Sequence, residues 1–256
     1  MKRTIKTLNQ ARLAGTPIVC ITAYDAVTAR LATAADVDVI LIGDSVGNVV
    51  LGFENPVPVT VDMMCHHCAA VARAKPDALI AADIPFGVAH GEFSDLLKVC
   101  MRLMQTCGAE AVKIEGGAEM APTVKRLVAA GVPVWAHIGL QAQRVLAEGG
   151  YRKHGKTEAE ANAIFEAAKA HEAAGAFALL LEMMPAELAQ KITESVAIPT
   201  IGIGAGTATS GQVLVMHDIL GLSPKKPSFA KIYADLGAQA TAAIAAWRDD
   251  VKARKC

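Results

Sequence analysis

Aromatic side chains are scarce in this 256-residue chain: two Trp, three Tyr and six Phe make up 4% of it. That composition does not suit a surface that recognises partners through stacked rings. Charge of one sign is also lacking, since 25 Lys+Arg stand against 25 Asp+Glu, and this removes any bulk attraction to nucleic acid or to an anionic membrane. No run approaches the roughly 18 apolar residues that a spanning helix needs. The opening stretch, MKRTIKTLNQARLAG, has charges with no apolar segment after them. Together these absences predict a cytoplasmic protein with no nucleic-acid or membrane partner. Cysteines number six, too few for a disulfide framework at this length, and they are expected as reduced thiols. Cys65-His66-His67-Cys68 invites a zinc or redox reading, but no second ligand pair at metal spacing follows. Cys65 and Cys68 are therefore read as packing residues on a helix.

What the chain does have is apolar material, 53% of its residues, with a mean hydropathy of +0.34. Short runs rich in Val, Ile and Leu recur between amphipathic stretches, with no linker or low-complexity segment to divide them. The runs predict eight strands at 18–22, 37–42, 78–82, 111–114, 132–136, 177–181, 199–203 and near 213–216. They are continuously apolar rather than alternating, as in a parallel sheet covered on both faces. Between them lie helices. Thr157 and Glu160 have the form of a capping box, Ile164, Phe165 and Ala168 make an inward stripe, and Gly175 stands where a glycine ends a helix. Leu96, Cys100, Leu103 and Cys107 before Gly108 repeat the arrangement, as do Val124, Leu127 and Val128 before Gly131. Eight such units in about 250 residues predict an α/β fold of the (β/α)8 TIM-barrel type, in a single domain over residues 1–256 with N- and C-terminal helical extensions. An open doubly wound sheet has the same local grammar.

The chemistry lies at the C-terminal ends of these runs. Asp25 comes after the first, Asp44-Ser45 after the second, Asp83 after the third, Lys113 and Glu115 close the fourth, and His137 comes after the fifth. Glu182 closes the sixth, and Gly202-Ile-Gly204-Ala-Gly206 closes the seventh. In a parallel barrel all these ends share one rim, so distant residues converge on one pocket. Acids that directly close runs such as VILIGD, LIAAD and ALLLE would be costly to desolvate without a cation or a donor beside them. Asp44 and Asp83 are hard oxygen ligands of the kind magnesium prefers, and two carboxylates leave positions free for waters and an oxo-acid. Lys113 is suited to balance a substrate carboxylate or enolate, and Glu115, on the same side of its strand, to position a metal-bound water. A structural ion pair is the bland alternative for Lys113 and Glu115. Glu182 ends a very apolar run, which marks it as a buried carboxylate and a candidate general base.

Nine strings in register carry a resemblance over most of the chain, from the first strand to about Tyr233. They are Thr22-Ala-Tyr-Asp25, Gly43-Asp-Ser45, Pro58-Val-Thr60, Ala82-Asp-Ile-Pro-Phe86, Val112-Lys-Ile-Glu-Gly-Gly117, His137-Ile-Gly-Leu140, Gly149-Gly-Tyr151, Leu181-Glu182, and Ile201-Gly-Ile-Gly-Ala-Gly206 through His217-Asp218. In these the chain closely resembles the ketopantoate hydroxymethyltransferase family. The resemblance implies a (β/α)8 barrel in a large homo-oligomer, usually a decamer. It implies transfer of a one-carbon unit from 5,10-methylenetetrahydrofolate to 3-methyl-2-oxobutanoate, giving 2-dehydropantoate, the first committed step of pantothenate synthesis. Asp44 and Asp83 would hold one Mg²⁺ per subunit, with Glu115 close to the metal through water. Asp44, Ser45, Asp83, Lys113 and His137 would bind or line the 2-oxo acid, and Glu182 would accept the proton. Gln141-Ala-Gln143 stands where Thr-Pro-Gln is usual, Arg152-Lys-His154 where Lys-Val-Gln is usual, and Ser228 where a Lys is frequent. No folate-contacting residue is assigned. Three rivals remain open: another magnesium barrel acting on 2-oxo-acid enolates, a Schiff-base aldolase with Lys113 as nucleophile, and a catalytically silent binding or scaffold relative. The glycine segment is not a dinucleotide motif, because Thr207 occupies its third glycine position.

Overall fold

The computed structural model describes residues 1–223 and 227–255. The chain divides into two compact units, Met1–Val213 and Leu214–Cys256. In the first, eight parallel strands close into a barrel in sequence order: β1 (Ile18–Thr22), β2 (Val39–Ile42), β3 (Leu79–Asp83), β4 (Ala111–Glu115), β5 (Val134–Gly139), β6 (Ala178–Glu182), β7 (Thr200–Ile203) and β8 (Gly211–Leu214). The open doubly wound alternative is thereby excluded.

The strands are apolar because both faces are covered, the inner by the barrel core and the outer by the helices. Strand β2, Val-Ile-Leu-Ile, is buried at every position. Alternate residues point inward, and Ile18, Cys20, Val39, Leu41, Leu79, Ala81, Ala111, Trp135, Ala178, Leu180, Ile201 and Val213 form the interior cluster, joined by Leu8 of the N-terminal helix Ile5–Leu13. Continued by two residues, the same parity leads from Ala81 to Asp83, from Ala111 to Lys113 and Glu115, from Trp135 to His137, and from Leu180 to Glu182. The apolar layer is thus the floor on which the polar rim stands.

The last strand begins two residues before the stretch expected for it, and Met216 belongs instead to a helical turn, Met216–Ile219. Gly211 explains the shift. A Cβ there would stand 2.2 Å from the Ile18 carbonyl oxygen, so glycine lets β8 approach β1 closely enough to close the barrel. In the helix Glu158–Ala173, Thr157 accepts from the Glu160 amide as expected, but the Glu160 carboxylate turns to the Gly155 and Lys156 amides. Its buried face is Ala167, Ala168 and His171, while Ile164 and Phe165 are half-buried. Leu96, Cys100, Leu103 and Cys107 are buried as expected, yet the helix Phe93–Met101 widens into a π-helical turn over Arg102–Thr106. Cys65 and Cys68 are buried on the helix Val61–Ala72, and the Cys68 thiol donates to the Cys107 carbonyl at 3.4 Å. Burial pushes both thiols up to about 12, so they behave as apolar packing groups.

In the second unit, Leu236 N–H donates to the Leu220 carbonyl and Tyr233 N–H to that of Ile219. The helix Leu236–Lys252 comes next, capped by Asp235. Among the described residues no helix is long and apolar enough to cross a membrane.

Candidate active site

The inward parity of β3 to β6 brings Asp83, Lys113, Glu115, His137 and Glu182 to one end of the barrel, and the turn after β2 adds Asp44 and Ser45. Neighbouring strands are in parallel register, with Asp83 beside Lys113, Glu115 beside His137 and Gly139 beside Glu182. Contacts between these side chains arise from that register. Lys113 Nζ lies 2.9 Å from Asp83 Oδ1 and 3.8 Å from Glu115 Oε1. His137 bridges two acids, with Nδ1 3.2 Å from Glu115 Oε1 and Nε2 3.1 Å from Glu182 Oε2. The Asp44 amide donates to Asp83 Oδ2 at 2.9 Å, which ties the two aspartates together through the backbone. Ser45 Oγ shares a 2.8 Å hydrogen bond with the Tyr24 hydroxyl.

Asp44, Asp83, Lys113, Glu115 and His137 are all buried, at 6% exposure or less. Glu182 is not. The last residue of β6, it is only partly buried, its side chain keeping 18% exposure, so the expectation of a buried base is met in part.

Burial acts on every group here, and the neighbours decide the outcome. For Asp44, burial and the Asp83 and Glu115 charges act together and drive its carboxyl well up. Asp83 is raised by burial too, against the pull of Lys113. Burial alone would raise Glu115, but His137 and Lys113 outweigh it and hold it below the usual range. His137 would be lowered by burial and by Lys113, yet its two carboxylate partners carry it to about 9. Lys113 would also be lowered by burial, and Asp83, Glu115 and Asp44 reverse this, so the amine stays charged. A Schiff-base nucleophile must be neutral, and this setting opposes it.

Four carboxylates, Asp44, Asp83, Glu115 and Glu182, thus face two cations, Lys113 and His137. A divalent cation would balance the two remaining charges, and the raised Asp44 and Asp83 are the groups that need it. Among the described residues, no three of His, Cys, Asp and Glu are grouped to hold a metal ion. The reason is local: Lys113 reaches between Asp83 and Glu115, while Glu115 is engaged by His137 and by the Gln143 amide at 3.1 Å. What fits a hard cation by its chemistry is the linked pair Asp44 and Asp83, since such a cation takes carboxylate oxygens together with oxygen donors from solvent or substrate.

Other expected positions have structural roles. Asp25 caps the helix Ala26–Ala34 through the Thr28 amide and hydroxyl. The segment after β7 turns through Gly204 and Gly206, both at positive φ. Three features escaped the sequence reading. Tyr24 is buried with its hydroxyl on Ser45, Met183 takes a left-handed φ of +49° directly after Glu182, and Gln143 Nε2 reaches Asp44 Oδ2 at 2.8 Å. The Asp-rich strand ends advertise themselves; a residue that acts across the fold on another strand's side chain does not.

The description of the ketopantoate hydroxymethyltransferase family matches residues 2–256. The 3-methyl-2-oxobutanoate hydroxymethyltransferase of Caldivirga maquilingensis is 54% identical over 238 residues, covering 93% of this chain and 89% of that protein. The enzyme of the same name from Methylobacterium sp. (strain 4-46) is 51% identical over 251 residues, 98% and 87% respectively. Among solved structures, 2,3-dimethylmalate lyase, a PEP mutase/isocitrate lyase superfamily member, superposes with a TM-score of 0.61 at 18% identity, over 100% of this chain and 88% of that one, a likeness of fold alone. The match across the whole barrel and its polar rim makes this chain a member of the ketopantoate hydroxymethyltransferase family, and a transferase.

Proposed function

We propose that the chain transfers a hydroxymethyl group from 5,10-methylenetetrahydrofolate to 3-methyl-2-oxobutanoate, giving 2-dehydropantoate for pantothenate synthesis in the cytoplasm, and that it works as a homo-oligomer, the resemblance pointing to a decamer. The observation that carries the reading is the continuous chain of contacts from Asp44 through Asp83, Lys113, Glu115 and His137 to Glu182 at one barrel end. Asp44 and Asp83 would hold Mg²⁺, with Glu115 reaching it through water, and the bound ion would supply Lewis acidity at the 2-oxo group. The charged Lys113 and the Ser45 hydroxyl bind the carboxylate and oxo end of the substrate and favour negative charge developing there. Glu182 accepts the C3 proton, and His137, held between Glu115 and Glu182, keeps that carboxylate aimed and offsets its charge. Water releases the one-carbon unit from 5,10-methylenetetrahydrofolate at the formaldehyde level with tetrahydrofolate as the leaving group, and the enolate carbon adds to it, the former water oxygen taking a proton to become the new hydroxyl.

The test separates proton removal from group transfer. With Mg²⁺ and no folate, the protein should exchange the C3 proton of 3-methyl-2-oxobutanoate for solvent deuterium, monitored by NMR. Glu182→Gln should still bind the acid while losing exchange by about 10²- to 10⁴-fold, the usual yield of a general base. Exchange at the wild-type rate in that variant would remove Glu182 from the role.

A further inference from the structure

Gln143 lies in the turn Ala142–Arg144 after β5, and it uses all three of its N–H groups on three other parts of the rim. One side-chain hydrogen goes to Asp44 Oδ2 at 2.8 Å, the other to the Ile84 carbonyl just past β3 at 2.9 Å, and the backbone N–H to Glu115 Oε2 at 3.1 Å. The bond to Asp44 spans 99 residues of sequence. It occupies Oδ2 of Asp44, the aspartate whose own amide is bonded to Asp83 Oδ2.

We infer that Gln143 is a positioning residue that fixes the Asp44 carboxylate, and through it the two-aspartate cation site, in its binding orientation. The inference rests on the proposed divalent-cation site. Chemistry explains why an amide serves there. A Lys or Arg would place a full positive charge against Asp44 and compete with the cation. A Glu would add a fifth carboxylate to a rim already two charges short. A neutral donor orients the carboxylate plane and shares none of the cation's charge. Tethering the second hydrogen to the Ile84 carbonyl prevents the amide from moving with Asp44 if the carboxylate rotates, and the backbone bond sets Glu115 in the same frame. Gln143 thereby couples the turn after β5 to the ends of β2, β3 and β4.

The test uses Mn²⁺ as the probe, with free ion measured by electron paramagnetic resonance in the absence of substrate. Gln143→Met keeps length and volume but removes both side-chain donors; Gln143→Asn keeps the amide one methylene short and serves if the Met variant does not fold. Melting temperature is recorded for each. Both should bind Mn²⁺ about 10- to 100-fold more weakly, the usual effect of losing a partner of a metal ligand. Turnover should return toward the wild-type kcat at saturating metal, a split that a general loss of structure would not give. Mn²⁺ affinity within twofold of wild type in a folded variant overturns the inference. Wild-type protein that binds no Mn²⁺ ends the cation reading and this inference together. Binding that Asp44→Asn abolishes and Gln143→Met leaves untouched ends this inference alone.

Discussion

His171 is fully buried on the helix Glu158–Ala173, with Nε2 at 3.0 Å from the Gly116 carbonyl and Nδ1 without a hydrogen-bond partner among the described residues. Burial is the main force on it and lowers its pKa, against the raising effect of the Gly116 and Gly117 backbone. The folded state therefore resists a proton that the unfolded chain accepts near 6.5. Stability from this group is whole above that pH and drains as pH falls below it, at up to about 1.4 kcal/mol per pH unit until the folded pKa is reached. His171→Gln, which cannot titrate, should show a shallower loss of urea midpoint between pH 7 and pH 5.5 than wild type; parallel losses would refute the assignment. The residues singled out from the sequence that the fold brings together at one barrel end share one trait: Asp44, Asp83, Lys113, Glu115, His137 and Glu182 all lie at or near the ends of apolar runs. His171, Gln143 and Tyr24 have no such local mark. Their importance comes from a carbonyl or a side chain brought to them by the fold, and spacing along the chain does not carry that.

At the scale of the element, strand existence was legible because a doubly covered parallel strand needs an apolar run, and β2 has one throughout while β3 and β6 have one that only an acid closes. Boundaries were less so. At β8 the run Val-Leu-Val-Met continues past the strand, and the decisive residue is Gly211, where the backbone lies close against Ile18 of β1. Gly139 poses the same problem at the site itself. It sits at φ +95°, and an added Cβ would stand 2.3 Å from the Glu182 carbonyl oxygen and 2.8 Å from the Met184 methyl. Only glycine lets β5 and β6 pair up to that height, and the pairing holds Glu182 beside Gly139, from where its carboxylate reaches His137 Nε2 at 3.1 Å. Gly139→Ala should cost about 1–2 kcal/mol for the left-handed backbone alone, with the clash added. It should also lower deuterium exchange more than it lowers affinity for the 2-oxo acid, since the base is displaced while Lys113 and Ser45 stay. Equal melting temperature and exchange in wild type and variant would show that β6 yields without consequence.

For the whole molecule, the resemblance was the route to function, because a barrel with a polar rim is compatible with many reactions and only the ordered set of strings selects one. Assembly is the least legible level, since it depends on surfaces that neither strand grammar nor site chemistry describes. One surface here has the required character. The helix Leu236–Lys252 contains no buried residue, and Ile244, Trp247 and Val251 stand 64%, 65% and 47% exposed. Steps of three and four residues align them, with Ala240, along one face. Zero net charge adds no general repulsion between copies. Burying a side chain such as Ile244 is worth about 1.5–3 kcal/mol, and several of them on each copy shift association by orders of magnitude. If the proposed homo-oligomer uses this face, sedimentation velocity should show the wild type as one large species, and Ile244→Lys with Trp247→Glu should shift it to smaller ones while leaving the far-ultraviolet circular dichroism of the barrel in place. Should the doubly substituted chain keep the wild-type sedimentation coefficient, the face is not an assembly surface; should the wild type itself sediment as a monomer, the oligomer proposal falls.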